Sequence, residues 1–548
     1  MNETRIFGPP GTGKTTYLAR QVHLAAAKRG SSNIMVASFT RAAATEIAGR
    51  DLPIAEKQTG TLHAMCYRQL GHPIIAEGNL KDWNTEVPHL QLSAGGTGDL
   101  DHAAFDQAGQ TEGDRLLSNV ERLRAQMRPI ESWPNSARSF YKRWCTWKNK
   151  HDLMDFTDLI EKSLNSPPPG NVTVGFFDEV QDFTPLDLAL VRNWATQMDT
   201  VLLAGDDDQC IYRFRGSSPD AFLDPPLPDS QKRILSQSYR LPRTIHTFAQ
   251  AWVQHLTRRE PKDYEPRDDV EGDISIVEDA NWRNIDRVID RIAEDEQAGR
   301  DVMLLTTCSY MLEPAIAALR RRGIPFHNPY RRKRGDWNPL APRKDSVTAT
   351  DRILALLRPD VEVWGEEARM WTALDAHWWM QPMRADKMFR RGAKTVMARR
   401  SRDQDDVREL DIVWLLENIF QDQADFDHAF VGDLNWWEDA LLAKAAKTLS
   451  FPLQIARSRG PAALADPPKV TVGTIHSVKG GEADCVYLCP DVSTAGMREW
   501  LTAGEARDSV IRQFYVGMTR AREHLALVPP LARTHIPLER YLPEEVKP

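Results

Sequence analysis

Three short segments carry side chains whose types and spacing suit chemistry on a nucleoside triphosphate. In GPPGTGKTT, residues 8–16, Gly8, Gly13, Lys14 and Thr15 meet the pattern G-x-x-x-x-G-K-[ST]. Glycines let backbone N–H groups turn inward around phosphate oxygens, and a following helix start adds a positive dipole end. Lys14 is then placed to reach the β- and γ-phosphates, and the Thr15 hydroxyl to ligate Mg²⁺. Pro9, Pro10, Gly11, Thr12 and Thr16 complete the candidate loop. In NVTVGFFDEVQD, the apolar run Val172–Phe177 ends in Asp178 and Glu179. Adjacent carboxylates at the edge of a buried strand are costly without a cation, so Asp178 is the candidate metal ligand. Glu179 is the candidate for polarising an attacking water. In VLLAGDDDQCIYRFRG, a second apolar run ends in Asp206–Asp208 and Gln209. Gln209 is neutral and bidentate, suited to sensing a γ-phosphate or orienting water; the three aspartates also read as a solvated turn. Tyr212, Phe214 and Arg215 follow, either as core or as a stacking platform for unpaired bases.

The elements that must hold these residues are legible. A short β-type run precedes Gly8, and a helical pattern follows it as far as Gly30, a C-cap residue. Strand candidates DISIVE, 273–278, and DVMLLTT, 301–307, alternate with helical segments, which implies parallel α/β sheets. VIRQFYVGMTRAREHL, 510–525, reads as one amphipathic helix carrying Arg520 and Arg522. SARSFYKRWCTWKNK, 136–150, mixes basic residues with Phe140, Tyr141, Trp144 and Trp147. It suits nucleic-acid contact and an ordinary amphipathic helix about equally. MRADKMFRRGAKTVMARRSR, 383–402, has eight Lys and Arg against one Asp, and RRKR stands at 331–334. Such runs are solvated faces or duplex-backbone contacts.

Composition sets the bounds. A chain of 548 residues needs several cores. With 77 acidic against 70 basic residues, any nucleic-acid surface must be a local patch. Six scattered cysteines fit reduced thiols, and Cys485 and Cys489 read as buried rather than metal-binding. The absence of an 18-residue apolar run and of a signal-peptide pattern predicts a cytoplasmic protein without a membrane partner.

Taken in order, the motifs resemble those of superfamily 1 helicases of the UvrD/Rep/PcrA group. GPPGTGKTT is followed by VASFTRAAATEI (36–47), TGTLHAMCYRQL (59–70), DFTDLI (155–160), FFDEVQDFTPLDLALV and LLAGDDDQCIYRFRG. LSQSYRLPRTI (235–245), VTVGTIHSVKGGEADCVYL (470–488) and FYVGMTRAREHL complete the series. The resemblance implies two RecA-like P-loop domains with parallel sheets, each with a mainly helical insertion, sandwiching one ATP. The first domain would take 1–70 and 152–235, with an insertion at 71–151. The second would take 236–329 and 469–548, with an insertion at 330–468.

The resemblance also implies roles. Arg520 matches the arginine finger on the γ-phosphate, a role suited to a permanently charged, forked donor. Arg240 matches its partner, Tyr239 an adenine stack and Glu482 a ribose contact. Phe39, Thr40, Thr61, His63, Tyr212, Phe214, Arg215 and His476 match the single-strand path, although either histidine also reads as a packed structural residue. Without the motif context Arg520 would read as a surface residue pairing with Glu523, which is the default for Arg522.

The implied activity is ATP-driven, Mg²⁺-dependent translocation, 3′ to 5′ on single-stranded DNA, with strand separation at a duplex junction. A translocase that remodels protein–DNA complexes, or a P-loop switch controlling partner binding, are the alternatives. Two departures stand out. The family's upstream glutamine segment has no counterpart in the seven residues before Gly8, which leaves the choice of ATP over other triphosphates open. The acidic, glycine-containing segment expected near 491–500 is not recognisable in DVSTAGMREW.

Overall fold

The computed structural model describes residues 3–39, 44, 45, 47, 49–93, 111–170, 172–329, 347–385, 388–402, 408–531 and 533–544. Among the described residues, twelve strands form two sheets. The first contains β1 (Glu3–Phe7), β2 (Ile34–Ser38), β3 (Thr59–Thr61), β4 (Val174–Asp178), β5 (Thr200–Gly205) and β6 (Lys232–Ile234). Its order is β3-β2-β4-β5-β1-β6, with every pairing parallel. The second has β7 (Asp273–Ile276), β8 (Val302–Thr306), β9 (Phe326–His327), β10 (Val470–Thr474), β11 (Ala483–Leu488) and β12 (Ala521–Leu527), ordered β7-β12-β11-β8-β10-β9. This is the α/β architecture that the sequence implies.

The chain divides into two compact units, 1–281 with 305–310 and 473–548, and 282–304 with 311–472. In the first unit, strand alternation builds two cores. Ile6, Ile34, Val36, Val174 and Phe176 face one side, where they meet Leu18 and Val22 of α1 (Lys14–Arg29). Phe7, Met35, Ala37, Phe177 and Leu203 face the other. There they meet α2 (Leu62–Gln69), α5 (Phe156–Ser163) and α6 (Pro185–Ala195). Helices on both faces explain why the strands read as near-continuous apolar runs. Because β4, β5 and β1 are parallel neighbours, the loops after Asp178, Gly205 and Phe7 emerge at one edge, the usual position of a ligand site in such a sheet.

Residues 71–151 include α3 (Glu112–Ala125) and α4 (Asn135–Lys150). The choice left open for 136–150 is resolved for its aromatics. Phe140, Trp144 and Trp147 are buried with Trp83 and Trp133 in a core of their own, so they are not a stacking surface for bases. Buried charge ties this core to α5. Arg124 donates to Asp155 (2.8 Å), Asp158 (2.6 Å) and Glu161 (2.7 Å), and Lys148 to Asp155 (2.5 Å). Against the opposing effect of burial, Arg124 and Lys148 hold the Asp155 carboxyl well below the usual range.

The second unit is mostly helical between 349 and 459, ending in a helix, Ala443–Arg459. No helix among the described residues is long and apolar enough to cross a membrane.

Candidate active site

β1 feeds the phosphate-type loop directly. The Gly8 N–H continues the strand pairing by donating to the Gly205 carbonyl at 3.0 Å. Gly11 and Gly13 adopt φ of +73° and +74°, the left-handed region that glycine enters without cost. A Cβ on Gly8 would stand 1.9 Å from Lys14 Cγ, so the spacing is steric as well as conformational. Gly13 is the N-cap of α1 and supplies no capping side chain, which leaves first-turn N–H groups available to an anion. Lys14 Nζ folds back to donate to the Gly8 carbonyl at 2.7 Å. Thr12 Oγ1 donates to Pro9 O at 2.8 Å, and Arg50 donates to Thr16 Oγ1 at 2.8 Å. The loop is latched to residues 238–240, with Ser238 Oγ donating to Pro10 O (2.8 Å) and Tyr239 N to Gly11 O (2.9 Å).

The carboxylates lie beside it. Thr15 Oγ1 donates to Asp178 Oδ2 at 3.0 Å, which brings together the two residues expected to share a metal ion. Burial, reinforced by Glu179, pushes Asp178 up to about 7. Against burial, Lys14 and Lys479 hold Glu179 below its ordinary value. One buried negative charge at this edge therefore lacks full compensation, which fits a divalent cation held by Thr15 and Asp178. Glu179 has φ of +54°, uncommon for a residue with a Cβ.

A hydrogen-bond chain leads away from Glu179. Gln181 Nε2 donates to Glu179 Oε2 (2.5 Å), and Asp206 N donates to Gln181 Oε1 (3.0 Å). Gln209 Nε2 donates to Asp206 Oδ2 (2.7 Å), and Arg520 Nη2 donates to Gln209 Oε1 (2.9 Å). The expectation of one helix through 510–525 is corrected here. α7 (Glu505–Met518) stops, Thr519 and Arg520 turn, and β12 begins at Ala521. The run AREHLAL pairs with β11 on one side and β7 on the other, and that pairing outweighs its helical propensity. Arg520 is consequently 2% exposed and does not pair with Glu523. It also donates to Val516 O (3.0 Å) and Gly481 O (3.1 Å). Burial and the proximity of Arg240 lower it to about 9.

Arg240 Nε donates to Glu482 Oε2 at 2.6 Å, and Arg522 pairs with Asp484 (2.7 Å) and Glu482 (3.4 Å). Glu482, the expected ribose contact, is thus engaged by two arginines, which hold it below its ordinary value although burial opposes them. Tyr239, the expected adenine stack, is 74% exposed.

Asp206–Asp208 are not a solvated turn. All three are fully buried, and Lys262 Nζ lies 3.2, 2.6 and 3.0 Å from Asp206, Asp207 and Asp208. Arg259 forks onto Asp208 at 3.0 and 2.6 Å. Lys262 and Arg259 lie outside every motif that the sequence displays, and nothing in the local pattern marks them. An acidic triplet closing a buried strand was the signal that a cation must come from elsewhere. Lys479, inside the 470–488 motif but without an expected role, donates to Asp182 Oδ2 (2.5 Å) and Gln209 O (2.8 Å).

Of the candidate single-strand residues, five converge. Phe39, Tyr212, Phe214 and His476 form a chain of ring contacts with centroid separations of 5.7, 5.9 and 5.7 Å. The Arg215 guanidinium lies over Phe39 (5.1 Å) and Lys479 Nζ over Tyr212 (5.1 Å). Tyr212 is buried and supports the cluster from beneath, while Phe214 is partly exposed. Burial lowers His476 to about 4. Thr61 caps α2 by accepting from Ala64 N (3.2 Å), and His63 packs edge-on to Phe156 (6.2 Å). Thr40 lies outside the described residues.

Within the second unit, Arg384, Arg390, Arg391 and Lys394 from the basic run line a groove of about 760 Å³ with Phe389 and Gln421. Arg384 donates to Asp439 O, Arg390 to Leu416 O (3.3 Å) and Lys394 to Met383 O. The RRKR run at 331–334 lies outside the described residues.

Fold and site together define an α/β P-loop protein in which an arginine from the C-terminal part of the chain is joined by hydrogen bonds to the acids beside the loop. Family models agree. The UvrD/REP helicase N-terminal domain matches residues 2–225, and the UvrD-like helicase C-terminal domain matches 469–528. YjcD of Bacillus subtilis is 27% identical over 322 residues, 54% of this chain and 42% of that protein. ATP-dependent DNA helicase PcrA of Staphylococcus epidermidis is 24% identical over 283 residues, 47% of this chain and 38% of that protein. PcrA of Staphylococcus aureus is 22% identical over the same length. The chain belongs to the UvrD/Rep/PcrA family of helicases. It spans about two-fifths of the length of these curated relatives.

Proposed function

We propose that the chain is an ATP-dependent DNA helicase or translocase moving 3′ to 5′ on single-stranded DNA and separating strands at a duplex junction. The observation that carries this reading is the unbroken run Glu179–Gln181–Asp206–Gln209–Arg520. In it, the residue suited to polarising water and the residue suited to gripping a γ-phosphate share one set of hydrogen bonds. The two are thereby linked through direct hydrogen bonds, as coupling of hydrolysis to motion would require.

In this reading Gly8 to Thr16 bind the triphosphate, Lys14 exchanges the Gly8 carbonyl for phosphate oxygens, and Tyr239 offers its exposed ring to the base. Thr15 and Asp178 would hold Mg²⁺, whose chemistry is to neutralise phosphate charge. Glu179, kept ionised by Lys14 and Lys479, accepts a proton from water. Arg520 contributes charge at the γ-phosphate, and Arg240 leaves Glu482 to assist it. Bases pass Phe214, with Phe39, Arg215 and His476 alongside. We assign 1–70 with 152–235 and 236–329 with 469–548 as the two motor domains, and 71–151 and 330–468 as insertions. Polarity follows from the family resemblance alone.

Strand displacement on fluorescent duplexes with a 3′ or a 5′ single-stranded tail tests this, with Lys14→Ala as control. ATP-dependent displacement from the 3′ tail, absent in the control, is expected. Displacement only from the 5′ tail overturns the polarity. DNA-stimulated hydrolysis without displacement favours a remodelling translocase, and hydrolysis indifferent to DNA favours a switch.

A further inference from the structure

We propose that Lys262 is a positioning residue for the arginine relay, a fixed cation standing where three converging carboxylates would otherwise need a metal ion. Through Asp206 it orients the Gln209 amide that receives Arg520. The inference rests on the hydrolysis reading above.

Asp206, Asp207 and Asp208 present oxygens all within 4.8 Å of one another, and none of the three side chains reaches solvent. Like charges this close and this dry do not ionise together unless a cation joins them. Lys262 Nζ lies within 3.2 Å of all three and also donates to Glu260 O at 3.1 Å. Unlike a bound ion it cannot dissociate, so the loop after β5 is held in one conformation through each cycle. Arg259 and the Glu260 N–H, from the same segment, complete the arrangement on Asp208 and Asp207.

The consequence lies in the amide of Gln209. Asp206 turns Oδ1 toward Lys262 and the Asp208 N–H, and with Oδ2 it accepts from Gln209 Nε2. The amide therefore has one allowed orientation, and its Oε1 faces Arg520 Nη2. If Asp206 rotated, the amide could turn and point N–H groups at a guanidinium that has only N–H groups to offer. Arg512, on the helix leading to Arg520, donates to Asp207 O at 3.1 Å, so the same loop also holds that helix.

The test is steady-state, single-strand-stimulated ATP hydrolysis by the full chain. Variants are Lys262→Met, Lys262→Met with Asp207→Asn, Gln209→Ala, and the latter two combined. The Asp207→Asn change removes one carboxylate charge together with the ammonium, and Asp208 keeps Arg259, so this variant tests the role even if Lys262→Met alone does not fold. The expected result is a loss of kcat on the order of tenfold or more, with KM for ATP within about threefold. Added to Gln209→Ala, the Lys262 and Asp207 changes should cause no further loss, because both act through one amide. A wild-type kcat in the paired variant, a change confined to KM, or multiplicative losses in the combined variant would overturn the proposal. Wild-type protein without hydrolysis would instead overturn the broader reading, and this inference with it.

Discussion

Arg520→Ala isolates the residue that we propose joins the C-terminal part of the chain to the nucleotide chemistry. The guanidinium is buried, and burial with Arg240 nearby lowers it well below its ordinary value, to about 9. At about 1.4 kcal/mol for each tenfold change, a shift of this size makes the charge about 5 kcal/mol costlier there than in water, while the group stays protonated at neutral pH. Negative charge placed against it relieves that penalty, and the relief is available only when the anion arrives. A loss of roughly 10³-fold in kcat corresponds to about 4 kcal/mol, inside this range. The variant should bind a fluorescent ATP analogue within about threefold of wild type, since Lys14 and the glycine loop are untouched. Its DNA-stimulated hydrolysis should fall about 10³-fold. Arg520→Lys should recover little, because one ammonium cannot span Val516 O, Gly481 O and Gln209 Oε1. Turnover within about tenfold of wild type, or an affinity loss equal to the loss in kcat/KM, would show that Arg520 does not act on the γ-phosphate.

Lys14→Ala should weaken ATP-analogue binding by about 1.5–3 kcal/mol, measured by equilibrium titration, through loss of a charged donor. Phe214→Ala should lower single-stranded DNA affinity by about 1–3 kcal/mol in fluorescence anisotropy, whereas Tyr212→Ala, at a buried position, should reduce stability first. Trp144→Ala should cost about 3–5 kcal/mol in urea unfolding, because it empties the insertion core and frees Asp155 from an indole N–H. His476, lowered to about 4, is largely unprotonated in the folded state between about pH 5 and 6.5, where the unfolded chain takes up a proton. Stability is therefore present above pH 6.5 and lost as pH falls toward 4. Between pH 7 and 5 the loss is at most about 2 kcal/mol, an upper bound because the ring is partly exposed, and His476→Gln should abolish it.

Much of the site was legible because its chemistry is local. Gly8 to Thr15, Asp178 and Glu179 each follow a strand that the apolar runs announce, and the parallel order of β1, β5 and β4 then brings the three loops to one edge. What local patterns could not show was long-range neutralisation. Lys262 lies more than fifty residues beyond the aspartates it serves, in a segment with no repeating signal. The 510–525 segment misled for a related reason. Its apolar positions suit a helix, but two neighbouring strands claim residues 521–527, and the break at Thr519 is what puts Arg520 inside the protein. The aromatics of 136–150 show the converse. A basic, aromatic stretch can be a core helix with a charged outer face when its rings share one side.

A crystal structure of the chain with a non-hydrolysable ATP analogue and Mg²⁺ tests the central claim most directly. The terminal phosphate should lie within hydrogen-bond reach, about 3 Å, of both Lys14 Nζ and the Arg520 guanidinium. A phosphate chain held by the glycine loop alone, with Arg520 still donating to Gln209, Val516 and Gly481 and to no phosphate oxygen, would contradict it.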